Sequence, residues 1–262
     1  MPLFDESHLP PGVPEEVMHG VNTVIAGLRG RLVKEIVLPE GPLGLRVPNL
    51  VRGYLQAHLR RMLTFLDGGH AEYLAGRPLM TELATRAIYE NVANLCDFTD
   101  KLKPLCEAVD YDGIEKHVTK AAFVTRIPSF LERRGEDVRA PNILTQIDRM
   151  TKRYTGFREA YDHLSDIVHP NGLGAIVYFA KMPGGLISFA DDAVTPERTM
   201  HSLFMAAFLL AFVEVELAAA EKALQKVAAV VTLAHYVTEA DETCNQTASG
   251  MNYGCGSATK CE

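Results

Sequence analysis

An all-α fold, a multi-helix bundle with one small β-hairpin inserted before its last long helix, is the architecture this sequence predicts. Three observations point to it. Apolar residues recur at three- and four-residue spacing through several long segments. Clusters of proline and glycine punctuate those segments. A single stretch, "AIVYFAKMPGGLISFA" (175–190), sets β-branched and aromatic residues around Pro-Gly-Gly, the pattern of a two-stranded ribbon.

Residues 1–14 are acidic and broken by prolines, which predicts a flexible lead-in. A helix follows from about Glu15 to Val37, stopped by "LPEGPLG". The next runs from about Pro48 to Leu66, with Leu55, Leu59, Met62, Leu63 and Leu66 on one face, and "DGGH" (67–70) interrupts it. A long helix over about Leu79 to Leu102 has an expected inward stripe of Leu83, Ala87, Val92 or Leu95, and Phe98. Residues 111–134 and 142–154 read as two helices divided by "RRGEDVRAPN". Another helix starts at Phe157 and stops at Pro170. After the ribbon, Thr195-Pro196-Glu197 supplies an N-cap and a first-turn proline for a helix to about Tyr236. One helical domain over 15–240 is expected. The end, 241–262, is small, polar and almost without aliphatic side chains, which predicts a disordered tail.

Composition narrows the function classes. A formal net charge of −7 argues against a broadly basic nucleic-acid face and leaves room only for a local basic cleft. The N-terminus has neither the positive region nor the apolar core of a signal peptide. The longest apolar run, "LFMAAFLLAFV" (203–213), covers about half a bilayer and leads into Glu214 and Glu216, as a core helix would. A cytoplasmic protein with no membrane partner is the expectation. Five cysteines without a Cys-x-x-Cys pair fit free thiols in a reducing compartment.

Chemistry concentrates in "REAYDHLSDIVHPNG" (158–172). On a helix, Phe157, Tyr161, Leu164, Ser165 and Val168 share a face, and His169 continues the Tyr161–Ser165 row at i+4. A phenol, a hydroxyl and an imidazole thus align along an apolar face. A matching row occurs in "RAIYENVANLCDF", where Arg86, Glu90 and Asn94 recur at i, i+4 and i+8. Buried polar groups require partners, so the two rows are expected to meet in one cluster. Glu90 would accept from Arg86 and from Tyr161 or His169. His169, Ser165, Tyr161, Arg86 and Glu90 are the candidate catalytic residues. Metal-ligating residue types are present, but Glu-x-x-His and His-Glu-x-x-His are not, and no glycine-rich phosphate loop occurs. Neither a metal nor a cofactor is expected.

"RAIYENVANL" followed by "YDHLSDIVHP" resembles a group of bacterial helical proteins of unknown function that is distantly similar to the HEPN proteins (higher eukaryotes and prokaryotes nucleotide-binding). The shared pattern is Arg-x3-Glu-x3-Asn, then Tyr-x2-Leu-Ser-x3-His-Pro, and it covers about 79–170. HEPN ribonucleases use an Arg, four to six residues, and a His. Arg158 and His163 satisfy that spacing, and the resemblance makes them nucleic-acid-binding candidates, whereas Leu164 stands five residues before His169. It implies metal-independent RNA cleavage, or RNA or nucleotide binding, in a defence or toxin system, with a homodimer or an antitoxin-like partner. In such chemistry a neutral His takes the ribose 2′-hydroxyl proton and an Arg stabilises the phosphorane. Positions five apart on one helix diverge by about 140°, so Arg158 and His163 would converge only across a dimer.

A bland reading stands beside it. Arg158–Asp162 suits a surface ion pair, Arg86–Glu90 can fix helix register, and His169 is favoured at a helix C-terminus by the dipole. The alternative is therefore a non-enzymatic helical interaction module whose polar rows are structural.

Overall fold

The computed structural model describes residues 2–6, 9, 11–41, 43–135, 138–182, 184–189 and 196–249. Its elements are α1 (Glu15–Gly30), α2 (Leu43–Leu74), α3 (Pro78–Glu107), α4 (Tyr111–Phe123), α5 (Pro128–Arg134), α6 (Ile143–Thr151) and α7 (Phe157–Val168). A π-helical turn (Gly172–Val177), the strands β1 (Ala180–Lys181) and β2 (Ser188–Phe189), and the long α8 (Pro196–Ser249) follow. The fold is all-α, with one antiparallel hairpin before α8. The central helix is α3, packed chiefly between α2 and α8. α1 lies on α8, α4 on α2 and α3, and α6 and α7 on the remaining side of α3.

The core follows from the apolar faces of these helices. Leu59, Met62 and Leu66 of α2, Ile88, Val92 and Leu95 of α3, and Leu203, Leu210 and Val213 of α8 are all buried. By length and composition Glu197–Val230 of α8 could cross a membrane, yet more than half of its most apolar window is buried in the fold.

Local chemistry shifts several boundaries. α1 ends at Gly30, short of the expected Val37, and the chain beyond it is not helical. Side chains of α2 instead satisfy the following backbone: Gln56 bonds the Arg31 carbonyl at 2.8 Å and the Val33 N–H at 3.2 Å, and Asn49 donates to the Val37 carbonyl at 2.8 Å. α2 starts before Pro48, which lies near enough to its beginning that little of the hydrogen-bond ladder is lost. It also runs straight through "DGGH". A Cβ at Gly69 would meet Ala84 Cβ at 3.1 Å and Leu203 Cδ1 at 3.2 Å, so this glycine lets α3 and α8 approach α2 and does not end the helix.

The stretch 111–134 forms two helices because Pro128 holds Ile127 extended. Asp110 and Asn142 cap α4 and α6 by accepting from the Gly113 and Leu144 N–H groups. α7 starts at the expected Phe157 but ends at Val168, because His169, before Pro170, is extended (φ −78°, ψ 146°). The hairpin is shorter than its sequence pattern, because Gly172–Val177 coil into the π-helical turn. α8 continues past Tyr236 to Ser249. The expected tail, 241–262, therefore begins inside this helix, and its part from 250 lies outside the described residues, as does the expected N-cap Thr195. Within the lead-in, Phe4 is 1% exposed, and its N–H and carbonyl are both bonded to the Asn22 amide.

The inward face of α3 differs from the expected stripe. Leu83 is 39% exposed, whereas Thr81, Glu82, Thr85 and Thr99 are fully buried. Packing on several sides buries a wide arc of α3, and its threonines find acceptors within α3 or on the helices packed against it. Thr85 donates to the Thr81 carbonyl at 2.8 Å and Thr81 to the Gly69 carbonyl at 3.1 Å. Such threonines fill core positions that an apolar count passes over.

Candidate functional site

The expected meeting of α3 and α7 is present at four of its groups. Arg86 Nε donates to Ser165 Oγ at 3.1 Å and its Nη2 to the Tyr161 hydroxyl at 3.0 Å. The same Nη2 lies 3.0 Å from Glu90 Oε1, which also accepts from the Tyr161 hydroxyl at 2.9 Å. The guanidinium carbon sits 5.3 Å from the centre of the Tyr161 ring. One side chain, Tyr161, therefore accepts from the arginine and donates to the glutamate. Phe157, Leu164 and Ile167 bury the apolar face of α7 on either side of this polar row. The Arg86 and Glu90 side chains remain 27% and 32% exposed, so the cluster opens to solvent along one edge.

Two members of the expected rows go elsewhere. Asn94 turns away from α7, accepting from the Tyr54 hydroxyl at 2.9 Å and approaching Gln146 at 3.5 Å. His169 is exposed at the end of α7; its extended backbone takes it out of helical register, and its side chain has no hydrogen-bond partner among the described residues.

Arg158 and His163 are not brought together within the chain. Arg158 bridges Asp162 and Asp148, tying α7 to α6. His163 Nε2 accepts from Arg198 of α8. Burial and the adjacent Arg198 charge both push the His163 pKa down, so this imidazole is neutral near pH 7.

The structure adds an acid that the sequence reading passed over. Glu82 is fully buried and accepts from the Tyr178 hydroxyl at 3.1 Å, while Oε2 has no partner within hydrogen-bond distance among the described residues. Burial pushes its carboxyl up to about 7, against the opposing influence of Tyr178, Ser202 and the Arg198 charge. The signal was present in the sequence, since Glu82 extends the Arg86–Glu90–Asn94 row backward by four residues. What hid it was the facing group, which comes from beyond the π-helical turn. Among the described residues, no three His, Cys, Asp or Glu side chains group so as to hold a metal ion.

Tyr161→Phe removes the hydroxyl that joins Arg86 to Glu90 while keeping the buried ring. Water reaches both partners, so a loss of about 1 kcal/mol is expected in chemical denaturation. A loss near zero would mean that the direct Arg86–Glu90 pair, at 3.0 Å, holds the cluster without the hydroxyl.

Compared with known proteins, the chain matches no family model, no curated protein and no solved structure.

Proposed function

We propose that the protein is a HEPN-like helical protein that engages RNA phosphate at the Arg86–Tyr161–Ser165 cluster and acts on RNA without a metal ion. One observation carries this reading. Ser165, Tyr161 and Glu90 hold the Arg86 guanidinium through Nε and Nη2, while Nη1 has no partner among the described residues and the side chain stays open to solvent. A planar donor group fixed on one side and free on the other is pre-organised for a phosphate oxygen. The Ser165 hydroxyl beside it supplies a second polar contact. His169, at the end of the same helix, is the base candidate in this reading, and Arg158 and His163 serve as helix-to-helix ties.

A second reading is favoured by the proximity of Glu90. Its carboxylate, 3.0 Å from Arg86, cancels much of the charge a phosphate would meet, as suits a structural latch in a non-enzymatic interaction module.

The two readings separate in one experiment. RNA integrity is followed after induction of the wild type, Arg86→Gln and His169→Ala, and binding of a labelled single-stranded RNA is measured on the purified proteins at low and moderate salt. The RNA reading expects wild-type RNA loss that His169→Ala abolishes with binding retained, and an affinity reduced on the order of tenfold by Arg86→Gln. Intact RNA together with no binding at low salt would leave only the latch.

A further inference from the structure

Beyond Asn94 the polar face of α3 continues through Asp97 to Lys101 and opens into a cleft of about 370 Å³, within the size range of small-molecule sites. α2, α4 and α6 form its other walls. Its rim is a pair of loop segments bonded backbone to backbone, Thr125 N–H to the Val138 carbonyl at 2.8 Å and Ala140 N–H to the Thr125 carbonyl at 2.9 Å. This pairing fixes Arg139 and Pro141 at the opening.

Three features of the lining are unusual for this chain. The first is charge. Lys101, Lys120 and Arg139 line the cleft with, among the described residues, a single carboxylate, Asp97, on a protein of net charge −7. That carboxylate is already engaged by Lys101 at 2.6 Å and by Arg149 from the α6 side. Lys120 has no partner among the described residues. The second is a ring wall. Phe98 stacks on His117 with centroids 4.5 Å apart and planes 15° apart, and Tyr54 packs on Phe98 at 4.3 Å. His117 Nε2 donates to the Phe98 carbonyl at 3.0 Å, and burial lowers the pKa of this ring. The third is loosely held amides. Asn94 to Gln146 spans 3.5 Å and Gln146 to Asp97 spans 3.4 Å, at the long limit of hydrogen bonding.

We propose that this cleft binds a small anion carrying a flat ring with a hydrogen-bonding edge. Lys120 at the mouth takes the charged group, as opposite charge attracts in a low-dielectric recess. The ring lies along the His117–Tyr54 wall, and the Asn94 and Gln146 amides exchange their long contacts for shorter ones to the ring edge. This site is separate from the Arg86 cluster and does not depend on the RNA reading.

Two ligand sources share that chemistry, a nucleoside monophosphate and an aromatic carboxylate. Calorimetry and thermal shift on the full chain with adenosine 5′-monophosphate, 4-aminobenzoate, adenosine and inorganic phosphate distinguish them. At least one ring-bearing anion is expected to bind at micromolar to millimolar concentration and raise Tm, on the order of tenfold more tightly than adenosine or phosphate alone. Which of the two binds identifies the source. Lys120→Ala, an exposed change that leaves the fold intact, and Gln146→Leu should each weaken binding on the order of tenfold. Arg86→Gln should not, which keeps the outcome distinct from that of the RNA reading. No binding by either ring-bearing anion at millimolar concentration overturns the proposal. So does binding unaffected by both Lys120→Ala and Gln146→Leu.

Discussion

Glu82→Gln raises the melting temperature at pH 8 and leaves it nearly unchanged at pH 5. The native carboxyl is fully buried, with one oxygen satisfied by Tyr178 and the other without a hydrogen-bond partner among the described residues. Its pKa in the fold is about 7, against an ordinary 4.5. A carboxyl raised on folding contributes its stability below the unfolded value, and that contribution is lost as pH rises through the folded one. The protein should therefore weaken between about pH 4.5 and 7, by roughly 3 kcal/mol in all, and stay weakened at pH 8. Glutamine has nearly the same shape and no charge to desolvate, so it removes this dependence and keeps an acceptor for Tyr178. The check is Tm for both proteins at pH 5 and pH 8. A difference between them that does not change with pH would show that Glu82 is not the group responsible.

Glu216→Ala is the second large effect, and it has the opposite pH dependence. Glu216 of α8 is 3% exposed and accepts from Thr99 at 2.7 Å, Lys103 at 3.1 Å and Arg153. Burial alone pushes this carboxyl up, but those three donors outweigh it and hold it below the ordinary carboxylate value. A depressed carboxylate stabilises the fold above its unfolded pKa, and the contribution is lost as pH falls through the folded value. Removing it leaves the buried Thr99 hydroxyl only the Cys96 carbonyl, at 3.1 Å, and unpairs two cations that are partly able to return to water. The expected cost is about 2–4 kcal/mol at pH 7. The gap to wild type should narrow below pH 4, where the native bridge is itself being protonated. Denaturation midpoints at pH 7 and at pH 3.5 measure this, and an equal gap at both would remove the ionic account.

These two acids resemble each other in sequence and differ only in what faces them. Each sits in an apolar or threonine-containing helical stretch, "LMTELATR" and "FVEVELAA". Burial pushes both carboxyls up; it prevails at Glu82, where Tyr178 offsets only part of it, and is outweighed at Glu216 by Thr99, Arg153 and Lys103. Helical periodicity reports which residues share a face. It carries no record of the donor that arrives from another element.

The same division runs through the candidate site. Spacing within α3 and within α7 was enough to align Arg86 with Glu90 and Tyr161 with Ser165, because neighbours at i+4 are fixed by helix geometry alone. The facing of those two rows was also anticipated, since each had a polar seam needing partners, and the hydrogen bonds from Arg86 and Tyr161 realise it. The divergence of Asn94 toward Tyr54 was not legible, because it depends on α2 and α6 approaching α3 from the other side.

By itself, then, the sequence determined the all-α class, the place of the hairpin, and the composition of the α3 and α7 polar rows, all of them consequences of local periodicity and turn chemistry. Only the tertiary structure decided that Gly69 is a close-contact point rather than a helix break, that Arg158 and His163 serve different neighbouring helices, and that the far half of the α3 row lines a cationic cleft. The physical reason is common to all three. Each depends on which surface lies opposite, and that is set by the joint packing of helices far apart in the chain.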